Sequence, residues 1–269
     1  MVQMLKGKGR MKETRVGGTQ SISRTIHILR ELATADLGGL RVVDLCERLQ
    51  LEWPTAHRIL LCLQQEQMVT HMAESKRYRL GPAVFQLGLA AASQFPLRET
   101  CRESLDRLAA LTGDTVFLMA RSGRNSVVIE RREGTFPVKA LMLDVGVWRP
   151  LGVGAAGLAL LAALPEELAR EIAHANRERI LAYGDFDTDK LLAMVRDSHA
   201  RGYALDEGYA FPEVTGVGLP VRSVSGLPIA AISVVAIKSR MTNERIKAGV
   251  KLLRREIKEI ETRLTALST

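Results

Sequence analysis

No apolar run in this sequence reaches the roughly 18–20 residues that a bilayer-spanning helix needs. Cysteine is scarce: Cys46, Cys62 and Cys101 stand far apart, with no C-x-x-C pair among them. That argues against a disulfide framework and a thiolate metal site, and it suits a reducing compartment. The opening residues, MVQMLKGKGRMKETRVGG, lack the apolar centre of a secretory signal, so a cytoplasmic location is expected. Catalytic signatures are missing too. There is no G-x-S-x-G elbow and no H-E-x-x-H, and His174 and His199 fall on expected helices without spaced partners. No catalytic residue, metal or cofactor is therefore expected. Internal repeats and low-complexity tracts are absent as well.

What is present is enough apolar residue, 46% of 269, to bury the core of one large domain or two ordinary ones. The formal charge of +8 is unevenly placed. Residues 1–16 carry +4, residues 17–82 carry +1, residues 83–238 carry −1 and residues 239–269 carry +4. An excess confined to the ends suits a solubilising arm as well as a phosphate-contacting one.

Gly152 to Gly157, GVGAAG, spells the G-x-G-x-x-G pattern of a dinucleotide-binding turn. The context does not support that reading. Such a site needs a strand running into the first glycine and an acidic residue ending the next strand about 20 residues on. Pro150 interrupts the approach, and Glu171 falls inside the helical PEELAREIAHA. Small residues allowing close helix packing explain the run better. A helix N-terminus here also presents free backbone N–H groups to a small anion.

The first eighty residues read as three helices and a hairpin. SISRTIHILRELATA carries Ile22, Ile26, Leu29 and Ala33 at helical spacing, with Ile28 and Leu32 beside them and Ser21 as a cap. RVVDLCERL places Val42, Leu45, Cys46 and Leu49 on one face, and PTAHRILLCLQQEQ buries Ala56, Ile59, Leu60 and Leu63 behind Pro54 in its first turn. Cys62 reads as a small packing residue. Strands MVTHM and KRYRL follow, closed by Gly81 and Pro82. This is the outline of a winged helix-turn-helix. The third helix would show Trp53, Thr55, His57 and Arg58 to a duplex, and the hairpin would clamp phosphates with Lys76, Arg77 and Arg79. The near-neutral charge of this region leaves room for another use of the unit, dimerisation or peptide docking. Trp53 also suits packing on the turn, and His57 a solvated helix face.

LRVVDLCERLQLEWPTAHRILLCLQQEQMV followed by YRLGPAVFQLG resembles the DNA-binding domain of the isocitrate-lyase-regulator (IclR) family of bacterial transcription factors. Thr55, Arg58, Ile59 and Leu60 stand in the family's recognition helix, and Tyr78, Leu80 and Gly81 at its strand end. Gln50 and Gln67 occupy places where the family usually has glycine, so Gln50 is expected to take a left-handed backbone at modest cost. Pro54 replaces a small polar residue.

Beyond the hairpin, GPAVFQLGLAAASQFP reads as a linking helix ending near Phe95 and Pro96, and RETCRESLDRLAALTG as another stopping at Gly113. TVFLMAR, SVVIERR and FPVKALML read as strands. Two helices follow, PEELAREIAHA and a second running from Thr188 to Gly202. Then come two strands, GVGLPVRS and LPIAAISVVAIKS, and a final helix striped by Ile246, Val250, Leu253, Ile257, Ile260 and Leu264. The order is not a regular strand–helix alternation, so an α+β fold with a mixed sheet is expected rather than a Rossmann domain.

Residues 97–269 resemble the effector-binding domain of the same family. PLGVGAAGLALLA stands where the family opens its pocket helix, and RGYALDEG, GVGLPV and AAISV follow in the family's order. The resemblance implies a GAF-like mixed α/β domain whose pocket takes a small acidic or aromatic metabolite. By position it places Ala155, Ala156, Asp206, Gly216 and Ser233 on that pocket, with Met142 and Trp148 closing its apolar side. The same residues also suit ordinary core packing. Gly152, Gly154 and Leu158 replace the family's histidine, threonine and lysine, and Gly216 stands where some members carry cysteine.

The expected layout is a basic tail over 1–17, a winged helix-turn-helix over 18–81, a linker helix over 82–96 and an effector-binding domain over 97–269. The expected function is ligand-responsive transcription regulation, with double-stranded operator DNA, a small-molecule effector and a homodimer or tetramer as partners, and no membrane. A small-molecule-transforming enzyme fused to a helix-turn-helix docking or dimerisation module is the alternative.

Overall fold

The computed structural model describes residues 19–35, 38–92, 97–140, 143–183 and 186–267. The chain divides into two compact units, Met1–Ala91 and Ala92–Thr269.

The first unit is built on α1 (Gln20–Thr34), α2 (Val42–Leu49) and α3 (Trp53–Gln65). A three-stranded antiparallel sheet joins them, made of β1 (Leu40–Arg41), β2 (Val69–Met72) and β3 (Arg77–Leu80) in the order β1-β3-β2. The short β1 was not legible in the sequence. Its pairing of Leu40 with Tyr78 and Arg41 with Arg77 turns the hairpin into a sheet edge-locked to α2. Ile28, Leu32, Leu45, Leu60, Leu63, Val69 and Tyr78 make the core. The buried face of α1 is therefore the Ile28/Leu32 side, and Ile22 and Ile26 are exposed, against the expected phase. Ser21 lies inside α1 rather than at its cap, which falls on Thr19. Gln50 and Gln67 both sit at positive φ, 50° and 54°, as the glycine-like positions require. Helix α4 (Pro82–Ala92) closes this part of the chain; residues 93–96, where the linking helix was expected to end, lie outside the described residues.

The second unit is a three-layer sandwich. Its sheet has six strands in the order β6-β5-β4-β9-β8-β7, with every ladder antiparallel. The strands are β4 (Thr115–Ser122), β5 (Asn125–Arg132), β6 (Trp148–Pro150), β7 (Ala204–Asp206), β8 (Val214–Arg222) and β9 (Pro228–Ile237). The pleat sends alternate residues to opposite faces. Val116, Leu118, Ile232 and Val234 pack against α5 (Leu97–Thr112) and α10 (Asn243–Ala266). Phe117, Met119, Ala231 and Val235 pack against α6 (Gly154–Ala162), α7 (Glu166–Ala175) and α9 (Thr188–Arg201). A short α8 (Arg177–Ile180) links α7 to α9.

One expectation fails here. FPVKALML is not a strand among its described residues: Pro137 has no N–H to give a ladder, and β6 occupies the edge beside β5 instead. Helix α9 starts at Thr188 and stops at Gly202 as expected, capped by Asp187, whose carboxylate accepts the Lys190 N–H at 2.8 Å. Close packing of α6 on the sheet depends on Gly218. A Cβ there would come within 2.5 Å of the Ala155 carbonyl oxygen.

Candidate functional site

In the first unit, α3 buries Ala56, Leu60 and Leu63 and turns its other face outward. Pro54 stands in the first turn, where its missing N–H costs nothing. Trp53 is 51% exposed and stacks on His57, with ring centroids 4.6 Å apart at 10°. The indole thus packs along its own helix rather than into the core. Arg58 is exposed and forms no hydrogen bond or ion pair among the described residues, so its guanidinium is free to bind. Thr55 is half-buried in the same turn, and Cys62 is exposed on this face rather than packed. The hairpin offers exposed Lys76 and Arg79. Arg77 is committed elsewhere: its Nη1 donates to the Gly39 carbonyl at 2.7 Å, tying β3 to the loop before α2.

In the second unit, the α6 face of the sheet and the start of α6 enclose a cavity. Ala155, Ala156, Asp206, Gly216 and Ser233 all line it, so the structure brings together five residues named from the sequence. Met142 lies outside the described residues. Trp148 does not line the cavity; its neighbour Arg149 does, because the two alternate across β6. The remaining wall is largely apolar, from Phe117, Met119, Leu143, Phe211, Val214 and Val235.

Three polar features face this space. The N-cap of α6 is Val153, which has no side-chain acceptor, so the first N–H groups of the helix keep their partial positive charge uncapped. Glycines at 152 and 154 take positive φ, 105° and 74°, to turn the chain from β6 into that helix. The G-x-G-x-x-G pattern is thus a tight strand-to-helix corner on an antiparallel edge, not a nucleotide turn. Asp206, 7% exposed, accepts the backbone N–H groups of Gly208 and Tyr209 at 3.1 and 2.9 Å through Oδ1. Burial pushes its carboxyl above the ordinary value, and those backbone bonds only partly offset the rise. Arg149 completes the set. Its Nη1 donates to the Tyr183 hydroxyl at 2.6 Å, and its guanidinium lies 5.3 Å from the Tyr183 ring and 5.7 Å from that of Phe211. The sequence pattern missed it, since only the phase of a three-residue edge strand decides which of Trp148 and Arg149 points inward.

Among the described residues no group of His, Cys, Asp and Glu could hold a metal ion, and no helix is long and apolar enough to cross a membrane. A three-helix unit with a hairpin and a second unit with a polar-ended cavity agree with what comparison with known proteins finds. The model of the bacterial transcriptional regulator IclR C-terminal region matches residues 89–262, and that of the IclR helix-turn-helix domain matches residues 21–72. The chain belongs to the IclR family.

Members of the IclR family that it is similar to are named as regulators. The HTH-type transcriptional regulator BhcR of Paracoccus denitrificans is 28% identical over 233 residues, covering 86% of this chain and 82% of the relative. The HTH-type transcriptional repressor AllR of Salmonella typhimurium is 28% identical over 257 residues, covering 95% and 94%. Among solved structures, an IclR homologue from Microbacterium hydrocarbonoxydans complexed with 4-hydroxybenzoate superposes with a TM-score of 0.68 at 23% identity, covering 91% of this chain and 99% of that one. The chain is a helix-turn-helix transcriptional regulator with a mixed α/β C-terminal domain, and nothing in these comparisons supports the enzyme alternative.

Proposed function

We propose that this IclR-family regulator works in the cytoplasm as a dimer or tetramer, reading a double-stranded operator with α3. A small acidic or aromatic metabolite in the cavity of its GAF-like C-terminal domain sets its operator affinity. The observation that carries the reading half is the free, exposed Arg58 beside Thr55 at the start of α3. Arg58 is suited to bidentate contact with guanine, Thr55 to a phosphate oxygen, and the Trp53–His57 stack to the groove wall. Lys76 and Arg79 of the hairpin are the phosphate clamp, and Arg77 contributes by holding the hairpin in place. A ligand shifts operator binding only if it prefers one arrangement of the paired reading heads; the stretch 82–96 between reading head and effector domain is the part assigned to relay that preference. That AllR is named a repressor and the Microbacterium homologue was solved with an aromatic acid supports the class of mechanism.

The test is a salt-titrated gel shift on genomic fragments captured by the purified protein. Arg58→Ala is expected to lose about 1–3 kcal/mol of specific binding. Lys76→Ala should weaken all sequences alike and lower the salt slope by about 1. Undiminished operator binding by Arg58→Ala would remove α3 as the reader.

A further inference from the structure

Arg149 is anomalous as a structural residue. It stands on an edge strand with its guanidinium turned into a largely apolar cavity, and among the described residues no carboxylate lies within ion-pair distance of it. Its Nε is buried and has no hydrogen-bond partner. Arg149 is half-buried, and a guanidinium drawn partly out of water normally meets an acid, because an uncompensated charge is costly to desolvate. Here the partners are two aromatic rings and one tyrosine hydroxyl, which orient the group without neutralising it. Nη1 is held by Tyr183, which leaves Nε and the second amino group free as a fork, the donor pair that matches a carboxylate bidentately.

The same cavity has a second pole. Asp206 comes from β7 at the opposite edge of the sheet from β6, and loop residue Phe211 beyond it reaches back to the Arg149 guanidinium. The Asp206 Oδ1 is occupied by the backbone donors of Gly208 and Tyr209, and the Ala210 N–H also bonds the carboxylate, which keeps acceptor capacity to spare. An anion approaching that end meets a like carboxyl, whereas a hydroxyl finds an acceptor. The uncapped start of α6 favours negative charge.

We infer that Arg149 is the specificity-determining anchor of the effector site. The effector is a hydroxy-monocarboxylate, its acid group paired with the Arg149 fork and its hydroxyl turned to Asp206. This assignment rests on the proposed effector cavity and deepens it. It excludes neutral effectors and dicarboxylates of the same length.

Isothermal titration calorimetry on the full-length protein tests it with lactate, lactamide, malonate, 4-hydroxybenzoate and 4-hydroxybenzamide. Lactate is expected to bind about 10- to 100-fold more tightly than lactamide, malonate to bind worse than lactate, and Arg149→Met to abolish the gap between acid and amide. Apo Arg149→Met should melt close to wild type, since it loses a half-buried cation that no carboxylate neutralises among the described residues. Acid and amide binding equally, or an acid preference that survives Arg149→Met, overturns the assignment and leaves a metabolite-binding regulator standing. A large fall in the apo melting temperature of Arg149→Met makes the residue structural and overturns it as well. No heat from any probe up to roughly 10 mM also overturns the assignment, and the operator gel shift then judges the regulator reading separately.

Discussion

At the scale of single residues, two glutamines do what glycine does without strain. Gln50 is the C-cap of α2 with φ 50° and ψ 49°, and Gln67 follows α3 at φ 54°. A left-handed conformation costs an L-residue about 1–2 kcal/mol, part of which glycine gives back through its freer unfolded chain. Gln50→Gly and Gln67→Gly are each expected to stabilise the protein by about 0.5–1 kcal/mol, read by urea denaturation at unchanged slope.

Asp206 makes a prediction of pH dependence. Its carboxyl is raised by burial, so the folded state holds the proton more readily than the unfolded chain. Above the raised value the ionised group costs stability, and that cost is relieved as pH falls through it toward the unfolded value of about 3.9. Asp206→Asn keeps an oxygen for the Gly208 and Tyr209 N–H groups and removes the charge. It is expected to raise the melting temperature at neutral pH by roughly 2–4 °C, with the advantage shrinking on acidification. A variant that melts lower than wild type at pH 7 would show that the backbone bonds need the full charge. Elsewhere burial pushes the Cys101 thiol up to about 12, which makes it a packing residue rather than a nucleophile.

At the scale of elements, α5 and α10 are joined by an ion cluster around one buried carboxylate. Glu256 is fully buried; Arg107 donates to it from α5 at 2.6 Å and Arg255 from its own helix at 2.8 Å. Burial pushes this carboxyl up, but the hydrogen bonds from Arg107 and Arg255 outweigh it and hold the net value below the ordinary range. A lowered acid contributes stability above its unfolded value and loses it as pH falls through its folded one. Arg107→Ala should therefore destabilise by about 1–3 kcal/mol at pH 7, and the difference should narrow toward acid in calorimetric melts.

Helices with a clear apolar stripe, such as α3 and α10, were legible in the sequence because burial decides their phase. Short elements were not. β1 and β7 have two and three residues and no pattern of their own, and only their partners, β3 and β8, define them. FPVKALML has a strand's composition, but β6 outcompetes it for the edge of β5. Arg149 was hidden for the same reason. The five cavity residues named in advance came from a motif's order along the chain, which fixes position but not which side chain of an edge strand turns inward.

At the scale of the whole molecule, the unresolved demand is apolar surface. Helix α4 reads PAVFQLGLAAA, and Phe85, Leu87 and Leu89 are exposed by 68%, 59% and 59%. Ile22 and Ile26 of α1 in the same unit are exposed as well. Lone exposed apolar residues need no explanation, but a helix with almost no polar face has no reason to remain in water. Under the dimeric reading, α4 pairs with its counterpart, and two recognition helices meet half-sites one turn of DNA apart, about 34–36 Å. Binding then gains from effective concentration, since the second head docks intramolecularly, by about 10²- to 10⁴-fold over one head. Phe85→Glu with Leu89→Glu should yield a monomer in analytical ultracentrifugation, with helical content intact by circular dichroism. Its operator affinity should fall by about that factor, while each half-site alone is bound as before. A double variant that still sediments as a dimer with full operator affinity would move the interface off α4. The effector would then need to act through a different surface.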